Sequence, residues 1–125
     1  MNAPIDLRPA AAVGHVSLRA SSVPSATARL EAIGLRPIVT RDSFAVIEMR
    51  GGTHIVLRQS SAEDVFDAPF DLMYDDIDAA HARLAEAGFE IGAISRGRIH
   101  HGFTATAPEG FRIEVTSSHA GKRPV

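Results

Sequence analysis

Glu114 is the residue in this 125-residue chain whose position asks for a chemical explanation. It belongs to Phe111-Arg112-Ile113-Glu114-Val115-Thr116, which follows Ala107-Pro108-Glu109-Gly110. Pro-Glu-Gly is turn chemistry, because proline presets one backbone angle and glycine accepts a positive one. The pattern therefore predicts a strand that begins at Phe111. With a period of two, Phe111, Ile113 and Val115 share an apolar face, and Arg112, Glu114 and Thr116 share the other. A carboxylate on that second face can move a proton or contribute to a cation site. The chain has no cysteine, so any metal ion must be held by His, Asp, Glu or water, and six histidines are available. Arg96, Arg98 and Arg112 form a second chemically useful group, since guanidinium forks suit the carboxylate or phosphate of an anionic substrate.

Composition narrows what such residues can serve. At 125 residues, 45% hydrophobic and 22% charged, the chain is the size of one globular domain with a real core. Its formal net charge is -2 with both signs interspersed, which offers no electrostatic footprint for nucleic acid or an anionic membrane. Neither is expected as a partner. No apolar run approaches the roughly 18 residues of a membrane span, and a disulfide framework is ruled out. A soluble, cytoplasmic protein is expected. With one tyrosine, six phenylalanines and no tryptophan, a large stacked ligand is not strongly indicated.

The elements that position these groups follow from periodicity and punctuation. Residues 1–12 (MNAPIDLRPAAA) read as an irregular leader and 119–125 as a flexible tail. Val16 and Leu18 alternate with His15, Ser17 and Arg19, as in a half-buried strand. Ser22 is placed to cap a helix whose apolar stripe is Val23, Ala26, Leu30 and Ile33, and Gly34 is placed to end it. Strands are expected over 36–40, 43–50 and 53–59, separated by Arg41-Asp42-Ser43 and by Gly51-Gly52. The order of this half is βαβββ.

The second half repeats the first. Shifting residues 15–35 forward by 54 positions, without a gap, lays Leu18 on Leu72, Ala26 on Ala80, Ala28-Arg29-Leu30 on Ala82-Arg83-Leu84 and Gly34 on Gly88. The helix stripe recurs as Ile77, Ala80, Leu84 and Ala87, with Asp76 in the place of Ser22. The closing strand matches 53–59 at an offset of 58, which lays Gly52 on Gly110 and Ile55 on Ile113. Identity, stripe, cap and stop coincide, which indicates an internal duplication. EIGAIS and FTATA are expected to pair around RGRIHHG.

Two βαβββ modules in a chain of this length resemble the vicinal oxygen chelate superfamily, which includes glyoxalase I, the bleomycin and fosfomycin resistance proteins and the extradiol dioxygenases. The likeness covers about residues 13–118. It is carried by GHVSLRA, YDDIDAAHARLAEAGF and APEGFRIEV, the last similar to that family's DPDG turn followed by a glutamate between apolar residues. The resemblance implies an α+β fold in a single domain, with module one at 13–60 and module two at 68–118. Each module would contribute a curved, antiparallel-type sheet around a cleft, with the helices on the convex side. A homodimer is also implied.

In that family the usual metal ligands sit one each on strands one, four, five and eight of the two modules. His15 falls on the first of these positions and Glu114 on the last. The offsets place Val56 and Pro69 on the other two, and neither can ligate through its side chain. His54, two residues before Val56, Asp71, two after Pro69, and His100, in the connection before FTATA, are candidates for a displaced third ligand. With one divalent ion bound (Zn, Ni, Mn, Mg or Fe), the resemblance implies a glyoxalase-like lyase or isomerase. The ion would stabilise an enolate or alkoxide, and Glu114 would be both ligand and catalytic base. With no metal, it implies a small-molecule or antibiotic-binding protein of the bleomycin-resistance type. Either way Arg19, Arg58, Met73 and Arg112 are expected to face the small-molecule ligand. The competing expectation for all these positions is that one face of a sheet is polar because it meets water. His81 on the second helix and His119 in the tail are assigned no chemistry, and Asp75 to Asp78 are explained by capping and the helix dipole.

Overall fold

The computed structural model describes residues 5–61, 63–118 and 123–124, so most of the expected tail, 119–125, with its His119, lies outside the described residues. Residues 5–14 carry neither helix nor strand. Module one comprises β1 (His15–Ala20), α1 (Val23–Ala32), β2 (Arg36–Thr40), β3 (Phe44–Glu48), a short 3-10 turn (Arg50–Gly52) and β4 (His54–Gln59). Module two comprises β5 (Phe66–Tyr74), α2 (Ile77–Glu86), β6 (Glu90–Ile91), β7 (Ser95–Arg96), β8 (His101–Thr106) and β9 (Phe111–Ser117). Among the described residues, no helix is long and apolar enough to cross a membrane.

The helices begin and end where local chemistry directs. Ser22 Oγ accepts from the Ser25 N–H at 3.3 Å, and Asp76 Oδ1 accepts from the Ala79 N–H at 3.0 Å, each satisfying one otherwise orphaned donor. Gly34 and Gly88 follow the helices at φ 103° and 90°, a conformation that costs glycine nothing. The stripe residues Val23, Ala26, Leu30, Ile33, Ile77, Ala80 and Leu84 are buried, with Ala87 packed at the edge.

Helix α1 returns the chain so that β2 starts in the direction of β1. Two reversals later β4 runs that way too and closes against β1 in parallel, giving the order β1-β4-β3-β2. Module two repeats this as β5-β9-β8-β6, with β5 and β9 parallel and β7 also on β8. The sheets are therefore mixed rather than purely antiparallel. Leu18, Ile55, Leu57, Leu72, Ile113 and Val115 are buried on the helix side, with Val16 and Phe70 packed at its margin, so the two-residue period is obeyed.

Two departures from the expected strands matter for the site. EIGAIS is broken at Gly92-Ala93-Ile94 into two short pieces that both pair with β8. In β5 the register slips against β9: Asp67 is opposite Arg112, but Asp71 is already opposite Glu114. Pro69 lies inside this slip, and a residue without an N–H cannot serve the ladder there.

The two sheets meet along β1 and β5, and one core cluster spans both modules. Each helix also sends an arginine to the end of the other. Arg29 Nη1 donates to the Ala87 carbonyl, and Arg83 Nε donates to the Ala32 carbonyl at 3.1 Å. Glu109 completes one side of this lock. It is 5% exposed and accepts from Arg29 Nε at 2.7 Å, Arg29 Nη2 at 2.8 Å and Ser25 Oγ at 2.8 Å.

Candidate functional site

The face of each sheet turned away from the helices carries the polar residues that alternation assigns to it. His15, Ser17, Arg19, Arg58, Asp71, Met73, Arg112 and Glu114 are exposed, while His54 and Val56 are partly covered. Pairing across the strands sorts them into rows.

In module one the first row runs His15, His54, Glu48, Arg36 across β1, β4, β3 and β2. The His15 and His54 rings are 5.9 Å apart and tilted by 30°. His54 Nε2 lies 3.2 Å from Glu48 Oε2, and the Arg36 guanidinium pairs with Glu48 Oε1. His54 is thus committed to a charged neighbour that sequence reasoning missed. The signal was present, because alternation in FAVIE puts Glu48 on the same face as Phe44 and Val46. The last row pairs Arg19 with Arg58. Their guanidiniums lie over Phe66 and Phe44, at 6.0 and 5.8 Å from the ring centres, and neither forms an ion pair among the described residues.

In module two Asp71, Glu114 and Thr104 lie side by side on β5, β9 and β8. Thr104 Oγ1 donates to Glu114 Oε1 at 3.0 Å, and Asp71 makes no hydrogen bond among the described residues. Arg112 Nε donates to Asp67 Oδ1 at 2.6 Å, which holds the Asp67 carboxyl below its ordinary range. Met73 is 47% exposed. His100 lies in the exposed turn before β8, and His101 is the first residue of that strand. Arg96 pairs with Asp78 at 2.8 Å, so Arg96 and Arg112 serve different carboxylates and do not act as one anion clamp.

A zinc-type site usually takes three or more side-chain donors converging on one point. Among the described residues no three His, Asp or Glu side chains do so. Val56 contributes no donor, Pro69 is absorbed by the slip in β5, and His54 is turned to Glu48. Among the described residues, the side chains of a single chain do not assemble a three-donor metal site.

No protein-family model and no curated protein matches the chain. Solved structures do. A possible glyoxalase from Bacillus cereus is 28% identical, with a TM-score of 0.66 over 85% of this chain and 98% of that one. The fold is that of the vicinal oxygen chelate superfamily. Lactoylglutathione lyase from Agrobacterium tumefaciens has the same superfamily's fold, with a TM-score of 0.71 at 16% identity, covering 93% of this chain and 100% of that one. A bleomycin-binding protein from Streptomyces verticillus, complexed with copper(II)-bleomycin, gives a TM-score of 0.67 at 16% identity, over 89% and 99%. Chains with the vicinal oxygen chelate fold thus include lyases and binding proteins, and the fold does not choose between them.

Proposed function

We propose that this vicinal oxygen chelate protein binds a small organic anion on its polar face, without a metal ion held by the residues of one chain. The observation that carries this reading is the Arg19–Arg58 pair. Two adjacent like charges with no carboxylate between them are unfavourable unless water or a ligand screens them. The aromatic rings beneath both guanidiniums help to hold them on the face by cation–π attraction. A carboxylate or phosphate would be gripped in two-pronged fashion. The Streptomyces verticillus protein, which has this fold and is complexed with copper(II)-bleomycin, supports a binding role. In one chain the polar face is open to solvent, and a second copy of the chain, as a homodimer, would cover it.

The test is a thermal-shift titration with inorganic phosphate and succinate. A saturable rise in melting temperature is expected in wild type, because a ligand that binds the native state selectively raises its stability. It should vanish in the Arg19→Ala/Arg58→Ala double variant. An equal rise in both proteins refutes the assignment. The second reading, a glyoxalase-like lyase, is favoured by the retention of His15 and Glu114 at two of the family's ligand positions. It predicts about one metal ion per chain in untagged protein purified without chelator, lost in both His15→Ala and Glu114→Ala.

A further inference from the structure

The duplication is unequal at the two ends of the junction between β1 and β5. At one end the Glu109 carboxylate fills the space between α1 and the turn before β9, bound by both prongs of Arg29 and by Ser25. At the other end the same offsets place Arg83 for Arg29, Ala79 for Ser25 and Gly51 for Glu109. The turns close alike: Met49 N–H to Thr53 O at 2.8 Å matches Ala107 N–H to Phe111 O at 2.8 Å. They differ at the residue that carries the carboxylate: Gly51 has a φ of 84°, Glu109 does not lie at positive φ, and Gly51 brings no side chain. In its place lies a groove of about 650 Å³, with Ala79 and Arg83 on one wall and Val16, Met49, Phe70 and Tyr74 on the others. Arg83 reaches the Ala32 carbonyl but forms no ion pair among the described residues.

We propose that this groove binds a small molecule with an apolar body and one carboxylate, which takes at Arg83 the place that Glu109 takes at Arg29. The volume is within the range of small-molecule sites, and the apolar walls suit an alkyl or aryl group. The acidic residues around the groove set the charge of the ligand. Asp75 is neutralised by Arg50 at 2.7 Å, and the Asp76 carboxylate is engaged in capping α2. Arg83 is therefore the lining cation that has no ion pair among the described residues, and a second carboxylate would lie unpaired against apolar walls. A monocarboxylate is therefore selected over a dicarboxylate. The Tyr74 hydroxyl donates to the Ile33 carbonyl at 2.8 Å, so its ring is a fixed wall of the groove.

Tyr74 is the single tyrosine and there is no tryptophan, so tyrosine fluorescence reports on this groove alone. The experiment titrates the full chain with octanoate, with octan-1-ol as the neutral analogue of the same length and suberate as the dianion. Octanoate should change the Tyr74 emission saturably, with octanol and suberate at least tenfold weaker. Arg83→Gln should weaken octanoate binding at least tenfold, Arg83→Lys less, and Ala79→Phe, which fills the groove, should abolish it. Both changed positions are exposed, and circular dichroism with a urea midpoint confirms that each variant folds. The Arg19→Ala/Arg58→Ala protein should bind octanoate as wild type does, which separates this groove from the polar face. Octanol binding as tightly as octanoate, undiminished binding by Arg83→Gln, loss in the Arg19/Arg58 double variant, or no saturable change would each overturn the proposal.

Discussion

Arg29 and Arg83 occupy the same place in the two modules, and the surroundings give them different work. Each leans over the glycine that ends the other helix. A Cβ built on Gly88 would stand 2.6 Å from Arg29 Nη1, and one on Gly34 would stand 3.1 Å from Arg83 Nη1. Arg29 is then fixed by a carboxylate that is almost fully buried, whereas Arg83 is exposed with one backbone acceptor. Duplication therefore supplied two equivalent seats across the module junction. Glu109 occupies one from within the chain, and Gly51 leaves the other open.

The sharpest way to break this comparison is to truncate both arginines. Arg29→Ala leaves Glu109 buried with only the Ser25 hydroxyl and its own backbone N–H as donors, and removing one partner of a buried pair costs about 3–5 kcal/mol. Arg83→Ala removes an exposed side chain with one hydrogen bond and should cost about 1 kcal/mol or less. Urea denaturation of the two variants measures the difference, and equal losses would end the distinction. Acid gives an independent check. Burial raises the Glu109 carboxyl, but the Arg29 and Ser25 donors outweigh it and hold the group below its ordinary value of 4.5. A carboxyl depressed in the folded state contributes stability that is present above the unfolded value and lost as the pH falls through the folded one. Wild type should therefore lose stability relative to Glu109→Gln as the pH drops below 4.5.

A smaller effect separates the glycines. Any side chain at either position must adopt a left-handed backbone, at about 1–2 kcal/mol. Gly88→Ala should cost more, about 2 kcal/mol or above, because its methyl meets a guanidinium that Glu109 prevents from moving. Gly34→Ala meets Arg83, which can swing away, and should cost about 1 kcal/mol. Thermal denaturation of the two alanine variants tests the order, and Gly34→Ala as the more damaging would contradict it.

What the sequence made legible was local. Ser22, Asp76, Gly34 and Gly88 declare helix ends by their own chemistry, and the stripes and alternating strands fix which faces are buried. The offset of 54 also anticipates Asp71 beside Glu114, since Ser17 pairs with Val56 in the first module. Long-range pairing was less accessible. The slip around Pro69 places Asp67, not Pro69, next to Arg112, and an ungapped shift has no means of showing a local irregularity. Glu48 reaches His54 only because β3 and β4 pair in one particular register. Glu109 read as part of a turn, and its burial depends on Arg29, 80 positions away.

Tyr74 offers the finest test of the two ends, and its expected effect is the smallest. Its counterpart in module one is Ala20, so the hydroxyl that binds the Ile33 carbonyl has no equivalent at the Glu109 end. There the matching carbonyl, that of Ala87, accepts Arg29 Nη1 instead. In module two Tyr74 holds the Ile33 carbonyl, and Arg83 donates to the neighbouring Ala32 carbonyl. Tyr74→Phe should cost about 1 kcal/mol or less, the net worth of one hydrogen bond, because Arg83 can move to the vacated acceptor. The shift is visible in a double-mutant cycle. Arg83→Ala should then cost about 0.5 kcal/mol more in the Tyr74→Phe background than in wild type, a coupling expected only of groups that share a partner. Additivity within about 0.3 kcal/mol would mean that the two side chains do not compete, and that the unequal arginines owe their difference to Glu109 alone.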